Sequence, residues 1–121
     1  MVTELWSGTP YLKVCGGYII THEQTGKFYI FTAFDVADAV RAHRGALKER
    51  RHPSAVLQEL YDRDPTFRVD TVGMLPSYLS RESMLKVLAE IERILLGQNK
   101  HNRNCLNHSE TIATPEIILN E

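Results

Sequence analysis

The chain has 121 residues, of which 43% are hydrophobic and 24% are charged, as expected for one modest globular domain. No apolar run is long enough to cross a membrane, and residues 1–14 lack the basic-then-apolar layout of a secretion signal. The net charge of −1 and the two cysteines argue against polyanion binding by bulk charge and against a disulfide framework. We therefore expect a single cytoplasmic domain over 1–121.

The first half of the chain predicts a β-hairpin after an irregular lead-in that has a short strand near 11–14. The runs 17–20 and 27–32 are rich in β-branched and aromatic residues, and 22–26 has turn chemistry. If Ile20 pairs with Lys27, Tyr18 stands opposite Tyr29 and the two phenols share one face of the hairpin. Phe28 and Ile30 then line the other face.

A helix follows the hairpin, with Asp35 as its N-cap and its end near residue 47. Its apolar stripe contains Val36, Val40 and Leu47. Ala39 and His43 are four residues apart, so they are neighbours on the flank of that stripe.

Positive charge is concentrated in residues 41–52, which hold five Lys/Arg against one Glu. Such a segment suits contacts with phosphates, although a solvated helix end and loop explain it equally well. The side chains expected to bind nucleic acid are Arg41, Arg44, Lys48, Arg50 and Arg51.

The second half predicts a helix from Pro53-Ser54 to about 62, a strand over 67–72, and a long helix from the cap Ser80 to about 96. The apolar arc of the long helix is centred on Met84, Leu88, Ile91 and Leu95. Glu92 falls inside this arc, where a carboxylate is costly unless a metal, a backbone amide or an arginine pairs with it. Glu90, on the polar side, is the reserve candidate.

The ordered set of these residues resembles the GIY-YIG nuclease superfamily. Gly16-Gly17-Tyr18 stands where the family has Gly-Ile-Tyr, and Tyr29-Ile30-Phe31 stands where it has Tyr-Ile-Gly. The interval of eleven residues between the two tyrosines is the family's usual one. His43 falls where the family's helix carries its histidine. Asn107 follows Glu92 by fifteen residues, as the family's Leu-Asn signature follows its metal-binding glutamate.

The resemblance covers about 15–107 and implies an α+β fold. This fold is a small three-stranded antiparallel sheet flanked by helices in the order β-β-α-α-β-α, with 1–14 as lead-in and 108–121 as tail. It also implies an endonuclease that hydrolyses DNA phosphodiester bonds with one Mg²⁺ or Mn²⁺ held by Glu92.

The resemblance also gives each site residue a role. Tyr18 is the implied general base, and Tyr29 positions the phosphate or the water. His43 contacts the phosphate or relays a proton. Asn107 belongs to the closing segment that anchors the chain against the active-site side, and we include it with the nucleic-acid-binding residues.

Two positions depart from the family pattern. Ala39 stands where the family has an arginine, which gives a permanently charged donor fork to the phosphate under attack. Phe31 replaces the last glycine of the second motif. We therefore expect the chain as written to be nearly inert in cutting while still binding metal and nucleic acid. Natural degeneracy and an introduced inactivating change both stay open as explanations of Ala39.

Other readings stay open beside the nuclease. The first is a non-catalytic module that binds nucleic acid or protein on a degenerate nuclease scaffold, and the second is a protein that acts only through protein contacts, such as an inhibitor. A zinc site is the third, although its spacing matches no standard zinc pattern; its ligands would be His101, Cys105, His108 and Cys15. DNA is the expected partner, with RNA and a homodimer left open.

Overall fold

The computed structural model describes residues 5–8, 14–75 and 79–108, which form one four-stranded sheet with helices on both faces. The strands are β1 (Leu5–Gly8), β2 (Gly16–His22), β3 (Phe28–Ala33) and β4 (Thr66–Val72). The helices are α1 (Val36–Lys48), α2 (Ala55–Arg63) and α3 (Arg81–Gln98), followed by a short 3-10 helix (Leu106–His108). Among these residues, no helix is long and apolar enough to span a membrane.

The sheet confirms the α+β class and the antiparallel arrangement that the resemblance implied. Its strand order is β1-β4-β2-β3, and β2 pairs antiparallel with both β3 and β4. Strand β1 was not part of that prediction, and it pairs parallel with β4 at the edge. The strand expected near 11–14 falls mostly outside the described residues.

The register of the β2–β3 hairpin differs from the predicted one by two residues. Tyr18 stands opposite Phe31, and Tyr29 stands opposite Ile20. The reason is His22, which we had assigned to the turn. It continues β2 instead, because its ring is fully buried and bonded to the Asp64 carbonyl oxygen at 2.8 Å. A shift of two residues keeps every side chain on its face, so both tyrosines still share one face of the sheet.

The three helices begin at the residues that the sequence predicted. Asp35, Ser54 and Ser80 each accept a hydrogen bond from a backbone N–H three residues later, at 3.1 Å in every case. These caps satisfy amide groups that otherwise have no partner within the helix.

The two faces of the sheet carry different helices. Tyr18 and Ile20 point into the main core with residues of α1 and α2, among them Val40 and Leu57. Gly17 points the other way, because successive strand residues alternate between faces. A Cβ built on Gly17 would lie 3.1 Å from Ile91 of α3. Helix α3 therefore packs across the sheet from the ring of Tyr18.

Candidate active site

The phenol of Tyr18 and the imidazole of His43 form a buried hydrogen bond. The Tyr18 hydroxyl oxygen lies 2.7 Å from His43 Nε2, although the two residues are 25 positions apart in sequence. Strand β2 supplies the phenol and the inward side of α1 supplies the imidazole, and both side chains are fully buried. The structure thus brings together two of the residues that the resemblance assigned to catalysis.

A second histidine extends this pair. His52 Nε2 lies 2.8 Å from His43 Nδ1, and the backbone N–H of Ser54 donates to His52 Nδ1 at 2.9 Å. In the sequence, His52 is distinguished only as the last residue of the basic segment 41–52. Its nine-residue separation from His43 crosses the end of α1, so helical periodicity gives no indication that the two rings meet.

Both imidazoles are held neutral. Burial lowers the pKa of His43 well below its ordinary value, and the neighbouring His52 lowers it further. Burial also lowers the pKa of His52 to about 4. Near neutral pH, each ring therefore carries one N–H and one bare nitrogen.

Phe31 fills the space beside these groups. Its ring stacks on Tyr29 with centroids 4.7 Å apart and an interplanar angle of 12°, and its centroid lies 4.3 Å from that of His43. The ring of Tyr18 packs on Phe31 as well, at 5.4 Å. The family's glycine has no side chain to occupy this position, so Phe31 closes the aromatic face over Tyr18 and His43.

Ala39 lies in the same core cluster and is 1% exposed. It precedes His43 by one turn of α1, on the side of the helix that faces the sheet. A side chain longer than alanine would have to enter the space that the core now fills.

The predicted metal ligand lies elsewhere. Glu92 is exposed, so the premise of a buried carboxylate in the apolar arc is wrong. The centre of the arc does pack inward at Leu88, but Leu85 on the flank beside Glu92 is 52% exposed. Since α3 packs across the sheet from Tyr18, the described residues do not place Glu92 on the face that holds the two phenols.

Glu90, the reserve candidate, is committed to a partner within α3. Its carboxylate accepts hydrogen bonds from the Arg93 guanidinium, one of them at 3.1 Å, and this arginine lowers the pKa of Glu90. In contrast, Glu92 takes part in none of the ion pairs found within residues 79–108. Glu92 is therefore the better placed of the two to bind a cation from solvent.

The side chains present could bind only a metal ion that keeps most of its water ligands. No group of three or more His, Cys, Asp or Glu side chains within the described part of the chain could hold a metal ion. That finding also removes support for the zinc alternative, and burial raises the pKa of the Cys105 thiol, which disfavours the thiolate that zinc needs. Mg²⁺ commonly binds through one carboxylate, waters and a substrate phosphate, and a single exposed Glu92 suits that mode.

Four of the five predicted basic residues line two shallow cavities beside the second half of α1. Arg41, Arg44 and Lys48 line one of about 220 Å³, and Lys48 lines the second, of about 320 Å³, together with Arg50 and Arg63. Arg63 is not among the predicted residues, because it lies on α2, outside the basic segment.

Some of this charge is already neutralised by exposed ion pairs. Arg50 lies 3.8 Å from Asp62, and Arg51 lies 2.5 Å from Glu49. Arg41 pairs with Asp38, and the Arg44 guanidinium lies over the ring of Trp6. Exposed pairs of this kind are weak and exchange readily for a phosphate partner. Within the described residues, Lys48 belongs to none of the ion pairs found.

Asn107 anchors the closing segment to the edge strand. Its side-chain oxygen accepts from Ile30 N–H and its amide donates to the Ile30 carbonyl oxygen, both at 2.8 Å. The backbone N–H of Phe28 donates to the Asn104 carbonyl oxygen at 2.8 Å. Both polar ends of Asn107 thus serve the anchoring role; its contact with nucleic acid stays a prediction.

Two solved structures share this architecture. One, titled as a mutant of the catalytic domain of the intron endonuclease I-TevI, superposes with a TM-score of 0.66 and 19% identity, covering 83% of this chain and 99% of that one. The other, titled as the catalytic domain of the homing endonuclease I-TevI, gives 0.61 and 21%, covering 75% and 94%. The chain has the GIY-YIG nuclease fold. No protein-family model matches the sequence, and no curated protein matches it significantly.

Within the GIY-YIG fold, the two sequence motifs lie on β2 and β3 as the resemblance implied. His43 lies on the following helix, and both of its ring nitrogens are engaged by Tyr18 and His52. Because both nitrogens are engaged within the protein, neither is left to contact a phosphate directly. At 19% and 21% identity, the two neighbours establish the fold, and the chemistry has to be argued from the residues of this chain.

Proposed function

We propose that the chain is an endonuclease of the GIY-YIG type, directed at DNA phosphodiester bonds, whose cutting is nearly abolished by alanine at position 39. The observation that carries the proposal is the buried contact of 2.7 Å between the Tyr18 hydroxyl and His43 Nε2. A hydroxyl held by an imidazole can handle the proton of an attacking water where water reaches it. In this structure both side chains are fully buried against Phe31, which is a second reason to expect little cutting.

Tyr18 is the proposed general base. A tyrosine is a poor base near neutral pH, with a reference pKa of about 10. Its phenolate becomes useful where hydrogen-bond donors and cations stabilise the negative charge on oxygen. His43 is the neighbour that provides such stabilisation, and Tyr29, on the same face of the sheet, orients the phosphate or the water.

Glu92 is the proposed ligand of Mg²⁺ or Mn²⁺, with waters filling most of the remaining positions. Helix α3 packs across the sheet from Tyr18, and this counts against a metal and a general base that act on the same phosphate. Such an ion, when bound, neutralises charge on the phosphate and on the leaving oxygen. Because Glu92 is exposed and outside the ion pairs of the described residues, it is available for this role. The chain's own cations, above all Lys48, hold neighbouring phosphates of the strand.

Weak cutting follows from the missing arginine. Loss of one preorganised donor at the reacting group costs about 10²–10³ in rate, and a charged fork is worth more. At position 39 the structure has only a buried methyl group, and Arg41 is exposed on another side of α1 and pairs with Asp38. Arg41 therefore does not replace the absent arginine.

Plasmid nicking in Mg²⁺ and in Mn²⁺ tests the proposal. We expect little nicking by the chain as written and a clear gain for Ala39→Arg in a Phe31→Ala background, where the removed ring leaves room for the longer side chain. Adding Tyr18→Phe or Glu92→Ala to this double variant should abolish the gain. If every folded variant stays inactive with both metals, the nuclease proposal is wrong. Circular dichroism establishes which variants are folded.

A non-catalytic nucleic-acid-binding module is the second candidate, and the stack around Phe31 favours it. A large side chain stands where the family has glycine, and a small one stands where it has arginine. Phe31 contacts His43, and Ala39 lies one turn before that histidine. A gain of volume at position 31 together with a loss at position 39 is expected of a core in which both positions changed. A single introduced alanine would change position 39 alone and leave the family's glycine at position 31.

Binding measurements separate this candidate from a protein that acts only on other proteins. Fluorescence anisotropy with labelled duplex DNA should show affinity that falls with salt, and Lys48→Glu should weaken it further. As the control, Lys86→Glu makes the same change of charge on α3, outside the basic segment. RNA of the same sequence tests the choice of nucleic acid. Absence of salt-dependent binding to either would favour a protein partner. We place the protein in the cytoplasm, where the buried thiols of Cys15 and Cys105 stay reduced.

A further inference from the structure

Three side chains form a hydrogen-bonded series that starts at a backbone amide. Ser54 N–H donates to His52 Nδ1, His52 Nε2 meets His43 Nδ1, and His43 Nε2 meets the Tyr18 hydroxyl. The first member can only donate, because a backbone nitrogen carries a hydrogen and has no accepting lone pair. The direction of every later hydrogen bond follows from this one.

The proton positions can be assigned in order. His52 Nδ1 accepts from Ser54, so the single proton of neutral His52 lies on Nε2 and points at His43 Nδ1. His43 Nδ1 must then accept, so the proton of neutral His43 lies on Nε2 and points at the Tyr18 oxygen. Any other placement in two neutral rings sets two hydrogens or two lone pairs against each other at a distance of 2.7–2.9 Å.

We propose that His52 is a positioning residue, which holds His43 in the Nε2–H tautomer so that the Tyr18 oxygen accepts a hydrogen bond from His43. The catalytic meaning of this inference rests on the proposed function, but the tautomer itself does not. Both histidine rings are buried, so water is not available to complete the hydrogen bonds of a different tautomer.

The assignment gives His43 a definite chemical role. With its proton on Nε2, neutral His43 cannot remove the proton from Tyr18, and its N–H instead stabilises negative charge on the phenolic oxygen. His43 keeps its own proton throughout, so it acts on Tyr18 as a hydrogen-bond donor and not as a base. His52 acts through His43, because without the hydrogen bond from His52 the His43 ring is free to adopt the Nδ1–H tautomer.

Nitrogen-15 NMR of the uniformly labelled protein tests the tautomers directly. Long-range proton–nitrogen spectra distinguish a protonated from a bare ring nitrogen. At pH 7.5 we expect His43 and His52 each to show a protonated Nε2 and a bare Nδ1. A protonated Nδ1 on His43 in the unaltered protein would overturn the proposal, without need of any variant.

Two substitutions then test the role of His52. His52→Gln keeps an amide that can donate to His43 Nδ1, so His43 should retain the Nε2–H tautomer. His52→Leu removes the donor, so His43 should shift to the Nδ1–H form or to a mixture. If His43 keeps the Nε2–H tautomer in folded His52→Leu, then His52 does not set it. If the leucine variant does not fold, a protonated Nδ1 on His43 in folded His52→Gln would still contradict the role of His52 as the donor that sets the tautomer.

His22 provides the matched control. It is as fully buried as His43, and both of its ring nitrogens are engaged, by Thr25 Oγ1 at 2.9 Å and by the Asp64 carbonyl oxygen at 2.8 Å. His22→Gln should therefore disturb packing without changing the tautomer of His43. The same spectra remain informative if the chain proves to have no nuclease activity, so failure of the tautomer assignment and failure of the proposed function are separate outcomes.

Discussion

Tyr18 stands directly opposite Phe31 in the β2–β3 ladder, with ring centroids 5.4 Å apart and planes inclined by 24°. Paired aromatic rings contribute about 0.5–1.5 kcal/mol beyond the area that they bury. The phenylalanine therefore stabilises the face that, with glycine in its place, would be open. Phe31 and Ala39, the two departures from the family motif, both belong to the core cluster on this face of the sheet.

We expect Phe31 and Ala39 to be energetically coupled. Ala39→Arg alone should cost about 3–5 kcal/mol, typical of a buried charge without a partner. Phe31→Ala should cost about 3–5 kcal/mol through the cavity it leaves. If the arginine uses that cavity, the double variant should cost less than the sum by about 1–3 kcal/mol, measured by urea unfolding. Additive costs would show that the two positions do not share space. The control cycle combines Ala39→Arg with Val69→Ala, a change that removes a core side chain on β4.

Stability should fall with acidification in the range set by the buried histidines. The folded-state pKa of His52 is about 4, below the ordinary value of 6.5, and that of His43 is also lowered. Between these values the unfolded chain binds protons that the folded protein does not, so folding stability is full above about pH 6.5 and is lost as the pH falls toward 4. Each histidine contributes a slope of up to about 1.4 kcal/mol per pH unit.

Urea unfolding at pH 7.5, 6.0 and 5.0 measures this slope. His52→Gln should reduce it by about half, because one of the two lowered pKa values is removed. A flat profile between pH 7.5 and 5.0 would contradict the neutral, buried state of the two rings.

Arg50 should respond to substitution with opposite signs in stability and in binding. Its φ of 57° lies in the left-handed region, where a side chain costs about 1–2 kcal/mol and glycine is favoured after a helix C-cap. Arg50→Gly should raise the free energy of unfolding by about 0.5–1 kcal/mol, after allowance for glycine's greater freedom in the unfolded chain. The same change removes a cation, so affinity for DNA should fall.

Arg51→Gly is the control for Arg50, since it removes the same charge at a residue with ordinary φ. It should weaken DNA binding without stabilising the fold. Equal stability changes in the two variants would mean that the left-handed backbone at residue 50 carries no strain.

Removing the Asn107 side chain should loosen the closing segment. Asn107→Ala leaves the N–H and the carbonyl oxygen of buried Ile30 without their bonds of 2.8 Å, at about 1–3 kcal/mol for each unsatisfied group. Limited proteolysis should then cut the segment earlier, and urea unfolding should show the loss. Asn104→Ala, an exposed side chain in the same segment, should change stability by less than about 0.5 kcal/mol. Similar effects of the two changes would argue against a specific anchor.

Local physical chemistry made much of this fold predictable. Turn and strand composition located β2, β3 and β4, and the capping residues Asp35, Ser54 and Ser80 located the starts of the helices. Periodicity identified the buried stripe of α1, because one face of a helix repeats every three to four residues whatever it packs against. The same spacing, compared with a known motif, was enough to single out Tyr18 and His43.

Contacts between distant segments decided the rest. The pairing of β1 with β4, the shift of the hairpin register by buried His22, and the meeting of His52 with His43 each join residues whose separation follows no local period. The exposure of Glu92 depends on what covers the flank of α3, which a helical wheel does not record. The chain alone thus determined its elements and the candidate pair, because these follow from local spacing. Only tertiary packing determined the direction of the hydrogen bonds to Tyr18, because a backbone amide on another segment sets it.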